Sequence, residues 1–278
     1  MPTVTLPDGA EIFYRIDDFT DPWRDDVETV MLVHGFCRNS DFWYAWVPTL
    51  ARFFRVVRWD ARGVGRSTKP SPGYPWTIQG FHADLVSFLD AIGVARAHFI
   101  GESAGGMVLP YLATWHPERV ASFTAVSSNL AIRGQIGREM AAGSASMAEA
   151  IKQAASIEDY VRATEAGRLH PEETSQQMRD WFAGAWASTS RQTWEEWSEV
   201  LVPQIDLTPE LFAKIRCPVL YLAASGSSRT PLEEARAWTD HIPDGRLATL
   251  ECRSQALAFV RPDDCAQIAL GFLRSLHR

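Results

Sequence analysis

A serine set among small residues, Gly101-Glu102-Ser103-Ala104-Gly105, carries the strongest chemical signal in the chain. The apolar run Ala97-His98-Phe99-Ile100 precedes it, and Gly106-Met107-Val108-Leu109-Pro110-Tyr111-Leu112-Ala113 follows. Strand, Gly-x-Ser-x-Gly turn and helix in that order make a nucleophile elbow. Small neighbours let the backbone turn sharply, which lifts the Ser103 hydroxyl clear of the sheet. The chemistry this allows is attack on a carbonyl, with the N–H of the following residue, Ala104, aimed at the developing negative charge.

Such a turn needs a sheet beneath it. Val4–Leu6, a Pro-Asp-Gly turn and Glu11–Ile16 predict an antiparallel hairpin. Thr29–Val33 is a continuous β-rich run typical of a strand buried on both faces, and Arg55–Asp60 is the next strand, with a helical segment over about residues 40–52 between them. Thr77 caps a helix whose apolar face carries Ile78, Phe81, Leu85, Phe88, Leu89 and Ile92, and Gly93 stops it. Further strands are predicted at Ala121–Val126, Val219–Ala223 and Leu247–Leu250. The last two are each followed by an amphipathic helix, the second running from about Pro262 to the C-terminus. Alternating strands and helices predict an α/β fold, a mostly parallel sheet covered on both faces. Residues 130–214 read differently. They are helical throughout and hold Trp181, Trp186, Trp194 and Trp197. This segment is expected to be a helical cap on a core formed by residues 1–129 and 215–278, with at least two tryptophans packing the cap itself and the rest walling a cavity.

Two more motifs follow predicted strands: His34-Gly35-Phe36, and Asp60-Ala61-Arg62-Gly63-Val64-Gly65-Arg66-Ser67. With the serine turn they resemble, in order and spacing, the α/β-hydrolase superfamily, in particular its capped bacterial branch of esterases, enol-lactonases and carbon–carbon bond hydrolases. The resemblance spans nearly the whole chain, the cap being its least specific part. It implies about eight strands, Ser103 as nucleophile, and an oxyanion hole made by the N–H groups of Phe36 and Ala104. His34 and Gly35 would border the substrate, His34 as a positional residue, with Trp181 and Trp186 above it. The Asp60 loop would hold the architecture together.

The resemblance also implies a general-base histidine after the last strand and an acidic partner after the preceding one. The matching segment runs from Glu251 to Pro262, with Gln255 where histidine is expected. An amide hydrogen-bonds a hydroxyl but cannot take its proton. At the acid position the chain reads Ala224-Ser225-Gly226-Ser227-Ser228-Arg229-Thr230-Pro231, with Ser227 at the expected spot, and the alternative position is Ser127-Ser128-Asn129. Glu251 and Glu102 are the nearest carboxylates, Glu102 directed away from the serine. Among the histidines, His82 reads as a core residue, His116 as a helix C-terminal one, and His98, His241 and His277 as remote; His170 lies in the cap and is placed to swing over the site. Arg229 and Arg253 are either carboxylate binders or, as is commoner for loop arginines, solvent-facing.

Composition sets the outer bounds. The chain has 278 residues, 46% hydrophobic and 22% charged, with a net charge of −7 and no basic run. That argues against nucleic acid or an anionic membrane as partner. Cys37, Cys217, Cys252 and Cys265 are too scattered for a disulfide framework or zinc site. The N-terminus lacks a signal peptide pattern and no stretch reaches membrane-spanning length, so the expectation is cytoplasmic. No metal or cofactor is implied, and a homo-oligomer is left open. Three readings follow: a serine hydrolase, in disabled or diverged form, acting on a small, largely apolar ester, lactone or diketone; a lyase, isomerase or cyclase using the same oxyanion hole; and a ligand-binding pseudo-hydrolase.

Overall fold

Eight strands form one sheet: β1 (Thr3–Thr5), β2 (Glu11–Asp17), β3 (Thr29–Val33), β4 (Arg55–Trp59), β5 (Ala97–Glu102), β6 (Val120–Val126), β7 (Val219–Ala224) and β8 (Gly245–Leu250). Their order is β1-β2-β4-β3-β5-β6-β7-β8. The first hairpin is antiparallel and β2 runs antiparallel to β4, whereas β4 through β8 are parallel. The computed structural model describes residues 2–130, 132 and 134–276, so His277 lies outside the described residues.

The alternation of side chains sorts the core into two layers. Met31, Val33, Phe99 and Phe123 face the helices Ile78–Ala91, Ala104–Trp115 and Leu232–Asp240. Val30, Leu32, Ile100 and Leu222 face Pro262–Ser275 on the other side. Thr77 caps its helix as the sequence predicts, its hydroxyl accepting from the Gly80 N–H at 2.9 Å. The helix predicted over residues 40–52 is instead a short turn, Ser40–Trp43, and a separate helix, Val47–Leu50. Pro48 explains the break: without an N–H it starts a helix and cannot continue one.

Residues 134–201 form a series of short helices rather than a few long ones: Gly134–Ala141, Met147–Gln153, Ile157–Ala163, Gln176–Ala187 and Arg191–Glu196, the last running into a wider π turn, Trp197–Leu201. Serines set four of the starts. Ser146, Ser156, Ser175 and Ser190 each accept from the backbone N–H three residues on. The segment is pinned to the strand-end loops by two side chains, Trp186 Nε1 donating to the Phe36 carbonyl at 2.7 Å and Thr189 Oγ1 to the Cys37 carbonyl at 3.0 Å. Glu196 fixes its other side, accepting from Trp76 Nε1 at 2.7 Å.

Packing around the serine turn leaves no room for a methyl group. A Cβ on Gly105 would lie 2.2 Å from the Val33 carbonyl oxygen, and one on Gly101 would lie 2.4 Å from that of Gly105. Gly105→Ala is therefore expected to cost at least about 2 kcal/mol, because backbone must shift in a packed core. Gly184→Ala, at a helical site with nothing within 4 Å, should stabilise by about 0.5–1 kcal/mol. Thermal unfolding of the two variants measures both; equal midpoints would contradict the packing argument.

Candidate active site

The cavity at the C-terminal edge of the sheet is built from strand ends. After β5, Ser103 takes φ +53° and ψ −123°, a conformation rarely adopted outside glycine. Its N–H is spent on the Val126 carbonyl at 2.9 Å, tying the turn to the end of β6. Cys37, after β3, and Ser127, after β6, also have positive φ. Among the described residues, three of the four non-glycine residues with positive φ thus lie in the turns that follow β3, β5 and β6.

Ser103 shares a cavity of about 30 Å³ with Phe36, Ala104, Asn129, Trp186 and Gln255. That is room for about two waters. Among the described residues, neither the Ser103 hydroxyl nor the N–H groups of Phe36 and Ala104 make a hydrogen bond. The first two N–H groups of any helix lack intrahelical partners, which accounts for Ala104. Trp186 holds the Phe36 peptide from its carbonyl side.

No histidine lines this cavity among the described residues. His34 is buried and both ring nitrogens are engaged: Nε2 accepts from the Ala61 N–H at 3.0 Å, so Nδ1 carries the proton and donates to the Gly35 carbonyl at 2.9 Å. Burial lowers its pKa, and it stays neutral as a brace between the β3 and β4 loops. Gly35 beside it is pressed against Glu102, whose Oε2 lies 2.8 Å from where a Cβ would sit. His82 donates to the Val108 carbonyl at 2.9 Å, and burial takes it down to about 4. His170 is not among the residues lining the cavity, and its Nε2 lies 3.3 Å from an Arg253 nitrogen.

Gln255 is buried in the cavity wall, its Nε2 donating to the Ser127 carbonyl at 3.0 Å. Ser227 lies outside the cavity and its hydroxyl accepts from the Arg229 N–H at 3.3 Å. Glu102 points away from the serine toward an ion pair with Arg38; burial pushes its carboxyl up against the pull of that guanidinium. Asp60 is fully buried and accepts from the Ser40 and Arg66 N–H groups, both at 2.8 Å, the architectural part its loop is expected to play. Trp181 is not at the cavity: it is 40% exposed and stacks on Phe259. Positions 181 and 186 lie about 140° apart on a helix, so only one of the two can face inward.

The walls also depart from the apolar chamber predicted from the tryptophans. Arg38, Arg168 and Arg229 line the serine cavity, and sequence reasoning singled out only Arg229 of these, favouring a solvent-facing position. Burial corrects that for Arg229. Arg253 is exposed and pairs with Glu172. Apolar walls belong to a neighbouring pocket of about 20 Å³, lined by Phe81, Val108, Trp197 and Leu201, which shares Phe36 and Ala104 with the serine cavity. Among the described residues no group of three or more His, Cys, Asp or Glu side chains converges as a metal site does, and no helix is long and apolar enough to cross a membrane.

The sequence profile described as alpha/beta hydrolase fold matches residues 28–253. A protein of Azorhizobium caulinodans named as an inferred carbamate hydrolase, RutD, is 28% identical over 274 residues, covering 95% of both chains. The crystal structure of a hydrolase from Pseudomonas aeruginosa PA01 superposes with a TM-score of 0.84 at 27% identity, covering 98% of this chain and 97% of that one. An enol-lactonase from Burkholderia xenovorans LB400 shares the fold, with a TM-score of 0.81 at 21% identity over 98% of this chain and all of its own.

The loop carrying Gln255 is clamped by one carboxylate. Glu173 accepts from Ser254 Oγ at 2.7 Å, the Ser254 N–H at 2.9 Å and the Arg253 N–H at 2.7 Å. Burial works to raise its pKa, but these donors outweigh it and hold the carboxyl below its usual value. A depressed folded-state pKa means stability that is present above the unfolded value and lost as pH falls through the folded one. Glu173→Gln should therefore cost about 1–2 kcal/mol at pH 7, with the difference from the unaltered chain shrinking below about pH 4. Denaturant unfolding at pH 7 and pH 3.5 checks this; a difference that does not change with pH would contradict it.

Proposed function

This chain belongs to the alpha/beta hydrolase fold family, and from that premise we propose that it binds a small carbonyl compound beside Ser103 and hydrolyses it slowly, without a side-chain base. The observation that carries the reading is a hydroxyl on a strained turn, in a cavity also lined by Phe36 and Ala104, with neither that hydroxyl nor their two N–H groups hydrogen-bonded among the described residues. The match to a relative named as an inferred carbamate hydrolase supports carbonyl hydrolysis.

In this mechanism the substrate carbonyl oxygen is received by the N–H groups of Phe36 and Ala104. Ser103 Oγ attacks the carbonyl carbon and its proton leaves to solvent hydroxide. The leaving group departs as the carbonyl re-forms on an acyl-serine, and water then attacks that ester to release the acid and restore the hydroxyl. Gln255 orients without accepting the proton, since an amide oxygen is too weak a base. Loss of the histidine in serine proteases costs about a million-fold in turnover, while an oxyanion hole and binding retain about a thousand-fold over water. The helical segment would act as a cap, because a cavity of about 30 Å³ must open for substrate to enter. The three arginines favour a second reading, a family member that holds a carbonyl anion without turning it over.

Intact mass after incubation with a fluorophosphonate should show a single adduct, lost in Ser103→Ala. No adduct after a day would remove the nucleophile and leave the binding reading. The Ser103-dependent hydrolysis of 4-nitrophenyl acetate should rise about tenfold per pH unit between about pH 6 and 8.5, as hydroxide-dependent attack requires. Gln255→His, alone or with Ser227→Asp, should raise it at least about a hundred-fold and add an inflection near the ordinary histidine pKa of about 6.5. An inflection there in the unaltered chain would reveal a histidine base and contradict the mechanism.

A further inference from the structure

We infer that the Ser103 cavity takes a small carbonyl compound bearing a carboxylate, and that Arg168 holds that carboxylate. The inference rests on the reading of this cavity as the ligand site, and it replaces a neutral substrate with an acid.

Three guanidinium groups meet at the cavity, and Arg38, Arg168 and Arg229 are each at most 3% exposed. Two of them have a counter-charge. Arg38 pairs with Glu102, and Arg229 with Glu139 at 2.7 Å. Among the described residues no carboxylate pairs directly with Arg168; Glu102, already held by Arg38, acts on it only from farther off. Its Nη1 donates to the Thr164 carbonyl at 2.8 Å and to Thr164 Oγ1 at 2.5 Å, and its Nη2 has no partner.

The guanidinium is nevertheless fixed in place. It lies 4.5 Å over the Trp186 ring, and the Arg168 carbonyl accepts from the Ala256 N–H at 3.0 Å, next to Gln255. Gly167 packs so closely on Arg229 that a Cβ there would sit 2.1 Å from its Nε. A buried cation is normally answered by a carboxylate. Here burial, with the Arg229 and Arg38 charges beside it, draws Arg168 down to about 9, and the Tyr160 hydroxyl offsets only part of that cost.

A ligand carboxylate would supply the missing partner. Its two oxygens match the planar fork of a guanidinium, which is the reason arginine is preferred over lysine at such sites. Arg168 and Ser103 line the same small cavity, which suits a ligand whose carboxylate sits close to its carbonyl. The apolar pocket that meets the cavity at Phe36 and Ala104 is suited to a short hydrocarbon group.

Monomethyl malonate, an ester with a carboxylate one carbon away, and neutral dimethyl malonate test this on the full chain by titration calorimetry at pH 7. The acid should bind at least about tenfold more tightly than the diester. Arg168→Gln should remove that preference, and Arg168→Lys should keep part of it. Equal affinity for acid and diester in the unaltered chain would overturn the inference, whatever the variants' stability. So would an acid affinity that Arg168→Gln leaves intact in a protein that still melts cooperatively. Arg168-dependent binding of the acid without fluorophosphonate labelling of Ser103 would keep the anion site and remove the hydrolase reading. Labelling without that binding would do the reverse.

Discussion

The backbone turn at Ser103 is the constraint from which the rest of the site follows. A serine at φ +53° costs of order 1–3 kcal/mol in backbone strain. It persists because Gly101, Gly105 and Gly106 let β5 and the following helix close on the ends of β3 and β6, where even a methyl group would collide. The Ser103 N–H is consumed by the Val126 carbonyl, so the hydroxyl is left as the free end of the turn. The β3 loop, pressed against Glu102 through Gly35, places the Phe36 peptide on the same cavity. Sheet, β3 loop and serine are thus one packing unit.

What surrounds that unit differs from a working triad. Gln255 occupies the cavity wall and gives its amide hydrogen to the Ser127 carbonyl. His34 has both nitrogens in structural bonds. In place of a base and its acid, the wall carries guanidinium groups, and one of them, Arg168, keeps a nitrogen without a hydrogen-bond partner among the described residues. Proton abstraction and anion binding make opposite demands on a cavity, and buried guanidinium groups suit the second better than the first.

Much of this was legible in the sequence, for identifiable reasons. The serine turn, the strands around it and the loop ending in Gln255 are local patterns, set by glycine spacing and apolar runs. Pro48 is a local signal too, but the helix predicted over residues 40–52 runs through it, and the reading of residues 130–214 as helical throughout likewise passes over the four capping serines as helix starts. The place of Trp186 over the Phe36 carbonyl is less accessible, since it depends on how a helix is rotated against a loop 150 residues away. The arginines were the least legible: Arg38, Arg168 and Arg229 come from three separate segments, and each alone looks like an ordinary surface residue. Only the tertiary fold shows that they converge and that two carboxylates serve three cations.

The central claim is that the hydroxyl at position 103 and the two N–H groups act together on one tetrahedral anion. Titration of ¹⁵N-labelled protein with methylboronic acid, which forms such an anion on a serine oxygen, tests it most directly. The amide signals of Phe36 and Ala104 should move furthest and saturate together, and neither should move in Ser103→Ala. Amides at those two positions that stay still while the boronate binds elsewhere would contradict it.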